Sequence, residues 1–230
     1  MGIWQWSDQC HIPEYGDLIL AEYTQPFNKN DITYYHSLYQ QIVATLGFRP
    51  RQVTADAAFD AWDVYQTCAE HGGIAAIPIN AHGHPLPNRE TDGTPRCDRG
   101  LRMFASYQFD HTNGYRAQRF CCPLLYPVPM GQTCEHKQFL KEKGCVKDIN
   151  IELGGLQRVL LDRTSQTYKT IYRQRTSAER INSQAKSWDI ERPKVCNGHS
   201  VANLNTLTYI LINVRVLQRV YAVNLVYRRC

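Results

Sequence analysis

The chain has 230 residues, 43% of them hydrophobic and 11% aromatic. That is long enough for a sizeable core and too apolar for a disordered chain. The formal net charge is +5, with Arg and Lys gathered between Arg158 and Lys194 and again at Arg215, Arg219, Arg228 and Arg229. Such a balance suits a polyanionic partner and equally a solubilising face. The opening residues, MGIWQWSDQC, hold no long apolar stretch, so the nine cysteines read as reduced thiols or metal ligands in a cytoplasmic protein rather than as a secreted disulfide framework.

In chain order, GIWQWS (2–7) and LILAEYT (18–24) are predicted strands that suit an antiparallel pair. A helix is predicted over 34–46 and stops at Gly47. Residues 52–55 form a short strand ending at Asp56, 61–70 a helix ending at Gly72 and Gly73, and 74–79 (IAAIPI) an apolar strand with a proline. From 81 to 150 the chain turns rich in Gly, Pro, Cys and His and loses its periodicity. Helices resume near Leu156 and run to the end, with breaks at Pro193 and around Asn197. No internal repeat is visible. The layout is α/β: a core part over 1–80, an irregular or β-rich insert over 81–150, and a helical part over 151–230. The apolar stretch from Val201 to Tyr227 is interrupted by Asn and Arg, which fits a buried amphipathic helix better than a membrane span.

The segment YRQRTSAERINSQAK (172–186) is rich in helix formers. On an α-helix Tyr172, Arg175, Glu179 and Lys186 fall within roughly a 60° arc. Ile171, Ala178, Ile181, Ala185 and Trp188 lie on the other side as a buried back face. The polar stripe suits a metal or phosphate site, and suits equally a solvated face laced with i,i+4 ion pairs.

In ADAAFDAW (55–62) a strand delivers Asp56 to its C-terminal end, where α/β folds gather reactive groups. With Glu179 it makes a pair of hard oxygen ligands for Mg²⁺ or Mn²⁺. The competing reading of Asp56 is a helix cap. Asp60 and Asp63 read as first-turn charges of the following helix.

Tyr172, Arg175, Glu179 and Lys186, separated by two, three and six residues, resemble the Y-R-E-K signature of DDE transposases of bacterial insertion sequences. ADAAFD resembles the block around that family's second catalytic aspartate, and LILAEYTQPFNKND the strand and turn before its first long helix. The ordered set covers most of the chain. The resemblance implies an RNase H-like core and DNA transposition by divalent-metal strand cleavage and transfer. It also implies Asp56 and Glu179 as metal ligands, Tyr172 and Arg175 positioning DNA phosphates, and Lys186 at the transposon end. A homodimer on paired DNA ends is in keeping with it.

Only two strands precede the first helix here, where the family has three with an Asp on the first. The expectation is therefore an N-terminally truncated, C-terminal part of a transposase, impaired by loss of that Asp. Asp8, at the end of the first strand, fits an ordinary turn residue. Two other readings remain: a non-catalytic DNA-binding relic, whose affinity would fall steeply with salt, and a related RNase H-like nuclease.

The insert carries Cys97, Cys121, Cys122, Cys134 and Cys145 with His136 nearby. Cys97, Cys122, Cys134 and Cys145 make the simplest structural zinc set, and buried apolar thiols fit as well. Leu204, Leu207, Leu211, Val214 and Leu217, at spacings of three and four, are predicted to cover the core, with a partner protomer as the other use.

Overall fold

A computed structural model describes residues 3–12, 14–26, 32–83, 86–141 and 143–227, with side chains described at 11–12, 14–24, 32–83, 86–141 and 143–223. In chain order the elements are β1 (Ile3–Ile12), β2 (Gly16–Pro26), α1 (Ile32–Leu46), β3 (Gln52–Thr54), a 3-10 turn (Ala57–Phe59), α2 (Trp62–Ala69), β4 (Ile74–Ala76), β5 (Phe104–Asp110), β6 (Arg116–Cys121), β7 (Val146–Asn150), α3 (Leu153–Leu160), α4 (Gln166–Arg173), α5 (Thr176–Lys186) and α6 (Gly198–Tyr227). The strands lie in three small sheets, β1-β2, β3-β4 and β5-β6-β7. Two compact units result: residues 1–50, 54–59 and 166–230 form the first, and residues 51–53 and 60–165 the second.

The first unit is built on the β1-β2 hairpin. The strands are antiparallel; Asp8 pairs with Ala21 and Gln9 with Ile19, so Leu20 is the extra residue of a bulge. Asp8, expected at the end of the first strand, thus lies inside β1, and its side chain is outside the described residues. The helix α1 lays Tyr34, Tyr35, Leu38, Tyr39 and Ile42 inward, at the offsets one apolar stripe requires. It ends at Gly47, whose positive φ of 70° suits a residue without a Cβ. A second cluster joins Ile19 of β2 to Ile181 and Ala185 of α5 and to Tyr209 and Ile212 of α6, with Trp188 and Ile190 packed against it.

Helix α6 covers the backbone of β2. Asn213 accepts the Ile19 N–H at 2.9 Å and donates to the Ile19 carbonyl at 2.8 Å, as a neighbouring strand would, which closes that part of the edge. The face of α6 that does this is not the predicted one. Val201, Asn205, Tyr209, Ile212 and Val216 are buried, while Leu204, Leu207, Leu211, Val214 and Leu217 are 40 to 56% exposed. The helix is apolar on both sides, so periodicity alone had no means of choosing; Asn205 and Asn213 side chains, bonded to Thr24 and Ile19 of β2, settle the rotation.

In the second unit β5, β6 and β7 form an antiparallel sheet, more regular than the sequence of this stretch suggests. Helices α2 and α3 lie in close contact because Gly154 stands in the first turn of α3: a Cβ there would collide with the Trp62 carbonyl and with Gln66, while one on Gly155 would meet Asn150. The Gly154 N–H donates to Gln66 Oε1 at 2.6 Å.

Asp60, predicted to be a first-turn surface charge, instead has a fully enclosed side chain. Arg158 donates to it through two nitrogens, at 2.7 and 2.5 Å, and Tyr65 Oη and the Asn80 N–H add bonds of 2.9 and 2.8 Å. Burial opposes its charge, but the Arg158 guanidinium, with Asn80 and Tyr65, outweighs burial and holds the carboxyl below its usual range. Burial and the Asp60 charge push the Tyr65 phenol up.

Candidate active site

The predicted polar stripe is carried by two helices. At the junction of α4 and α5 the bonds Gln174 N–H to Ile171 O, Arg175 N–H to Tyr172 O and Ala178 N–H to Arg175 O each span three residues, at 3.0 Å. Thr176 Oγ1, on the first residue of α5, donates to the carbonyl of Arg173, the last residue of α4, at 2.9 Å, a local side-chain bond that competes with a continuous α pattern. A 3-10 path has three residues per turn, so positions i and i+3 eclipse. Tyr172 and Arg175 are such a pair, and the Arg175 guanidinium carbon sits 5.7 Å from the centre of the Tyr172 ring. Tyr172 in turn stacks on buried Tyr168, centroids 5.6 Å apart.

Arg175 then reaches forward along α5 to Glu179, Nη2 to Oε1 2.7 Å. The Glu179 side chain is 58% exposed and lies in the first turn of α5, where the helix dipole favours a carboxylate. Three of the four stripe residues are therefore in contact. Lys186, in the last turn, pairs with Glu191 at 2.9 Å and stands apart from the other three. Behind the stripe Ile171, Ile181 and Ala185 are buried, as their spacing predicts.

Asp56 follows β3 and is exposed. Its Oδ1 accepts the Ala58 N–H at 2.9 Å and its carbonyl accepts the Phe59 N–H at 3.2 Å, so it caps the 3-10 turn. Phe59 is buried, and the turn packs on α1. Asp56 and Glu179 belong to the same compact unit. Both offer exposed, hard carboxylate oxygens, the donor type that Mg²⁺ or Mn²⁺ takes together with water and phosphate oxygens. Among the described residues no group of three or more His, Cys, Asp or Glu side chains is gathered to hold a metal ion.

Sequence reasoning missed what anchors α5. Arg180, next to Glu179, donates to Asp17 at 2.6 and 2.7 Å. His11 Nδ1 lies 2.8 Å from Asp17 Oδ1, and the Arg180 guanidinium also donates to Ser177 Oγ at 3.1 Å. Burial opposes the Asp17 charge, and the bonds from Arg180, His11 and Ser177 together outweigh it and hold its carboxyl below the usual range. The two partners are far apart in sequence, so no local pattern pairs them.

Residues 13–214 match the model of the transposase DDE domain family. The chain therefore belongs to that family, whose members transpose DNA at a DDE-type, divalent-metal site on an α/β core of RNase H-like fold. No curated protein and no solved structure matches it. No helix among the described residues is long and apolar enough to cross a membrane.

Proposed function

We propose that this chain performs the strand-cleaving and strand-transfer chemistry of an insertion-sequence transposase, with Asp56 and Glu179 as metal ligands and Tyr172, Arg175 and Lys186 as contacts to DNA. The observation that most supports this reading is the Arg175 bridge between Tyr172 and Glu179, since it sets a carboxylate, a fork of donors and a phenol side by side on an exposed helical junction. Mg²⁺ or Mn²⁺, when bound, supplies charge stabilisation for in-line displacement at phosphorus. Glu179 and Asp56 would hold the ion. Arg175 keeps Glu179 oriented, and its guanidinium, matched to a phosphate's two oxygens, grips the DNA backbone. Tyr172, braced by Tyr168, sets the height of that guanidinium. Lys186 adds a point charge one or more turns along.

On this reading Asp56 and Glu179 are two of the three carboxylates of a DDE site. The reading keeps 1–80 and 151–230 as core and 81–150 as insert, and it places the protein in the cytoplasm as a homodimer on DNA. The zinc set expected on the insert cysteines is not gathered as a metal site among the described residues.

One observation favours the second reading, a DNA-binding relic: no cluster of three candidate ligands is gathered among the described residues. The test is cleavage and strand transfer by the purified full chain, with Mg²⁺ and with Mn²⁺, on linear DNA bearing the element's ends. Slow, metal-dependent cleavage that Glu179→Gln and Asp56→Asn each abolish, without loss of DNA binding, is expected. Salt-sensitive binding with no cleavage under either metal leaves the relic reading, and cleavage indifferent to both substitutions overturns the assignment.

A further inference from the structure

A loop of the second unit carries an arginine with no carboxylate to answer it. The segment 88–96 doubles back on itself: the Arg96 N–H donates to the Asn88 carbonyl at 2.9 Å and the Glu90 N–H to the Thr94 carbonyl at 2.8 Å. Near its tip Gly93 has a φ of 83°, and a Cβ there would press on Val159 and Leu160 of α3. The loop therefore lies against the end of α3, the helix that carries Arg158. Arg89 sits on this loop, half-buried. The acids around it are paired with other residues, Glu90 with Arg96 at 3.0 Å, Asp92 with Arg102 at 2.6 Å, and Asp60 with Arg158. Among the described residues Arg89 forms no ion pair, and its guanidinium donates to the Gly93 carbonyl at 3.4 Å. Burial, together with the like charge of Arg158, holds Arg89 below the usual arginine range. An arginine stays charged all the same, and a partly buried charge is costly until it is paired.

Arg89 lines an open cleft of about 380 Å³, a size that admits a ligand group and not merely a water molecule. Pro87, Pro95 and Ile149 give it an apolar wall, while Asn88 and Lys147 add polar groups beside the guanidinium. Lys147 and Ile149 alternate along β7 and so share a face. Lys147 Nζ donates to the Arg96 carbonyl at 2.8 Å and has Asp98 at 3.9 Å; with three protons it keeps a donor for a further acceptor. Asp148 also lines the cleft, but its two oxygens are bridged by Arg119, each at 2.9 Å. The cleft thus offers two cations and an amide, and its own acid is already neutralised.

We propose that Arg89 and Lys147 hold one backbone phosphate of DNA, with the adjoining sugar against Pro87, Pro95 and Ile149, so that the second unit has its own grip on the substrate. A guanidinium fork takes two phosphate oxygens, and an ammonium adds a point charge. The phosphate supplies the counter-charge that Arg89 lacks within the chain. The inference rests on DNA as the partner, which family membership gives. It does not depend on a metal at Asp56 and Glu179 or on Arg175 meeting a phosphate.

The test is fluorescence anisotropy of the full chain on duplex DNA across a salt series, with thermal melts of the same proteins without DNA. Arg89→Gln and Lys147→Gln should each lower the slope of log K against log salt by about 0.9, the contribution of one phosphate, and the double variant by no more, since both grip the same group. Arg102→Gln, an equal change in net charge at an arginine already paired with Asp92, should leave the slope unaltered. Without DNA, Arg89→Gln should melt at the temperature of the unaltered chain or above it, because the charge removed is an unpaired one. An unchanged slope in Arg89→Gln, an equal loss in Arg102→Gln, or a lower melting temperature in Arg89→Gln overturns the site, the last by making Arg89 a structural residue. Inorganic phosphate that raises the melting temperature of the unaltered chain and not of Arg89→Gln, with no change in the DNA slope, makes the ligand a free phosphate and overturns the DNA contact. Loss of slope in Arg175→Ala with none in Arg89→Gln sinks this inference and leaves the proposed function standing, whereas the converse removes Arg175 and keeps the cleft. A chain that binds no DNA overturns both.

Discussion

Arg180 on α5 grips Asp17 at the start of β2 through two nitrogens, 2.6 Å to Oδ2 and 2.7 Å to Oδ1. The carboxylate exposes 6% of its side chain and the arginine 47%. This pair locks the helix that carries Glu179 onto the hairpin.

Replacing Arg180 by Ala leaves a buried carboxylate with His11 and Ser177 as its remaining partners. The expected loss of stability is about 1–3 kcal/mol, with Arg180→Lys intermediate because it keeps the charge and loses the fork. The pH dependence has a definite sign. Asp17 is held below the ordinary carboxylate range in the folded chain. Its contribution is therefore full above about pH 3.9, the unfolded value, and is lost as pH falls through the lower, folded value. Thermal melts of wild type and Asp17→Asn should differ at neutral pH and converge in acid. A gap that stays constant down to strong acid would rule out the linkage.

Arg175 is the bridge of the stripe. If it meets a phosphate, Arg175→Ala weakens DNA binding on all sequences alike and lowers the slope of log K against log salt by about 0.9. Fluorescence anisotropy across a salt series reads both. A variant with an unchanged slope removes Arg175 from the DNA contacts.

The two faces of α6 give opposite expectations from adjacent residues. Ile212 is 1% exposed and Leu211 54%. Ile212→Ala should cost about 2–5 kcal/mol in denaturant unfolding, while Leu211→Ala should stay within about 0.5 kcal/mol. If the exposed leucine face is where two protomers meet, Leu207→Glu with Leu211→Glu shifts sedimentation to the monomer and leaves the monomer's melting intact.

In the second unit, Asp60 and Arg158 form an ion pair whose carboxylate side is fully enclosed. Arg158→Ala leaves that carboxylate without its main partner, and the expected cost is about 3–5 kcal/mol. Asp60→Asn keeps only one of the two oxygens that Tyr65 and Asn80 bond, but it leaves no unpaired buried carboxylate and is the milder change. Amide hydrogen exchange over residues 60–165 locates the effect; unaltered protection there in Arg158→Ala would argue against a stabilising role.

Much of this was legible without coordinates because it is local. The hairpin, α1 with its Gly47 stop, the buried back face of Ile171, Ile181 and Ala185, and the contact of Tyr172, Arg175 and Glu179 all follow from periods of two, three and four residues along one stretch of chain. Family membership was legible for the same reason: its signature is a set of spacings. Spacing is silent on whatever depends on which distant segment lies opposite. The rotation of α6 was decided by Asn213 meeting the Ile19 backbone. The burial of Asp60 was decided by Arg158, the anchoring of α5 by Asp17, and the gathering of Cys97, Cys122, Cys134 and Cys145 around one cavity by the ends of β6 and β7. An apolar or charged side chain carries the same local pattern whether it is buried or exposed, and only the partner across the fold determines which.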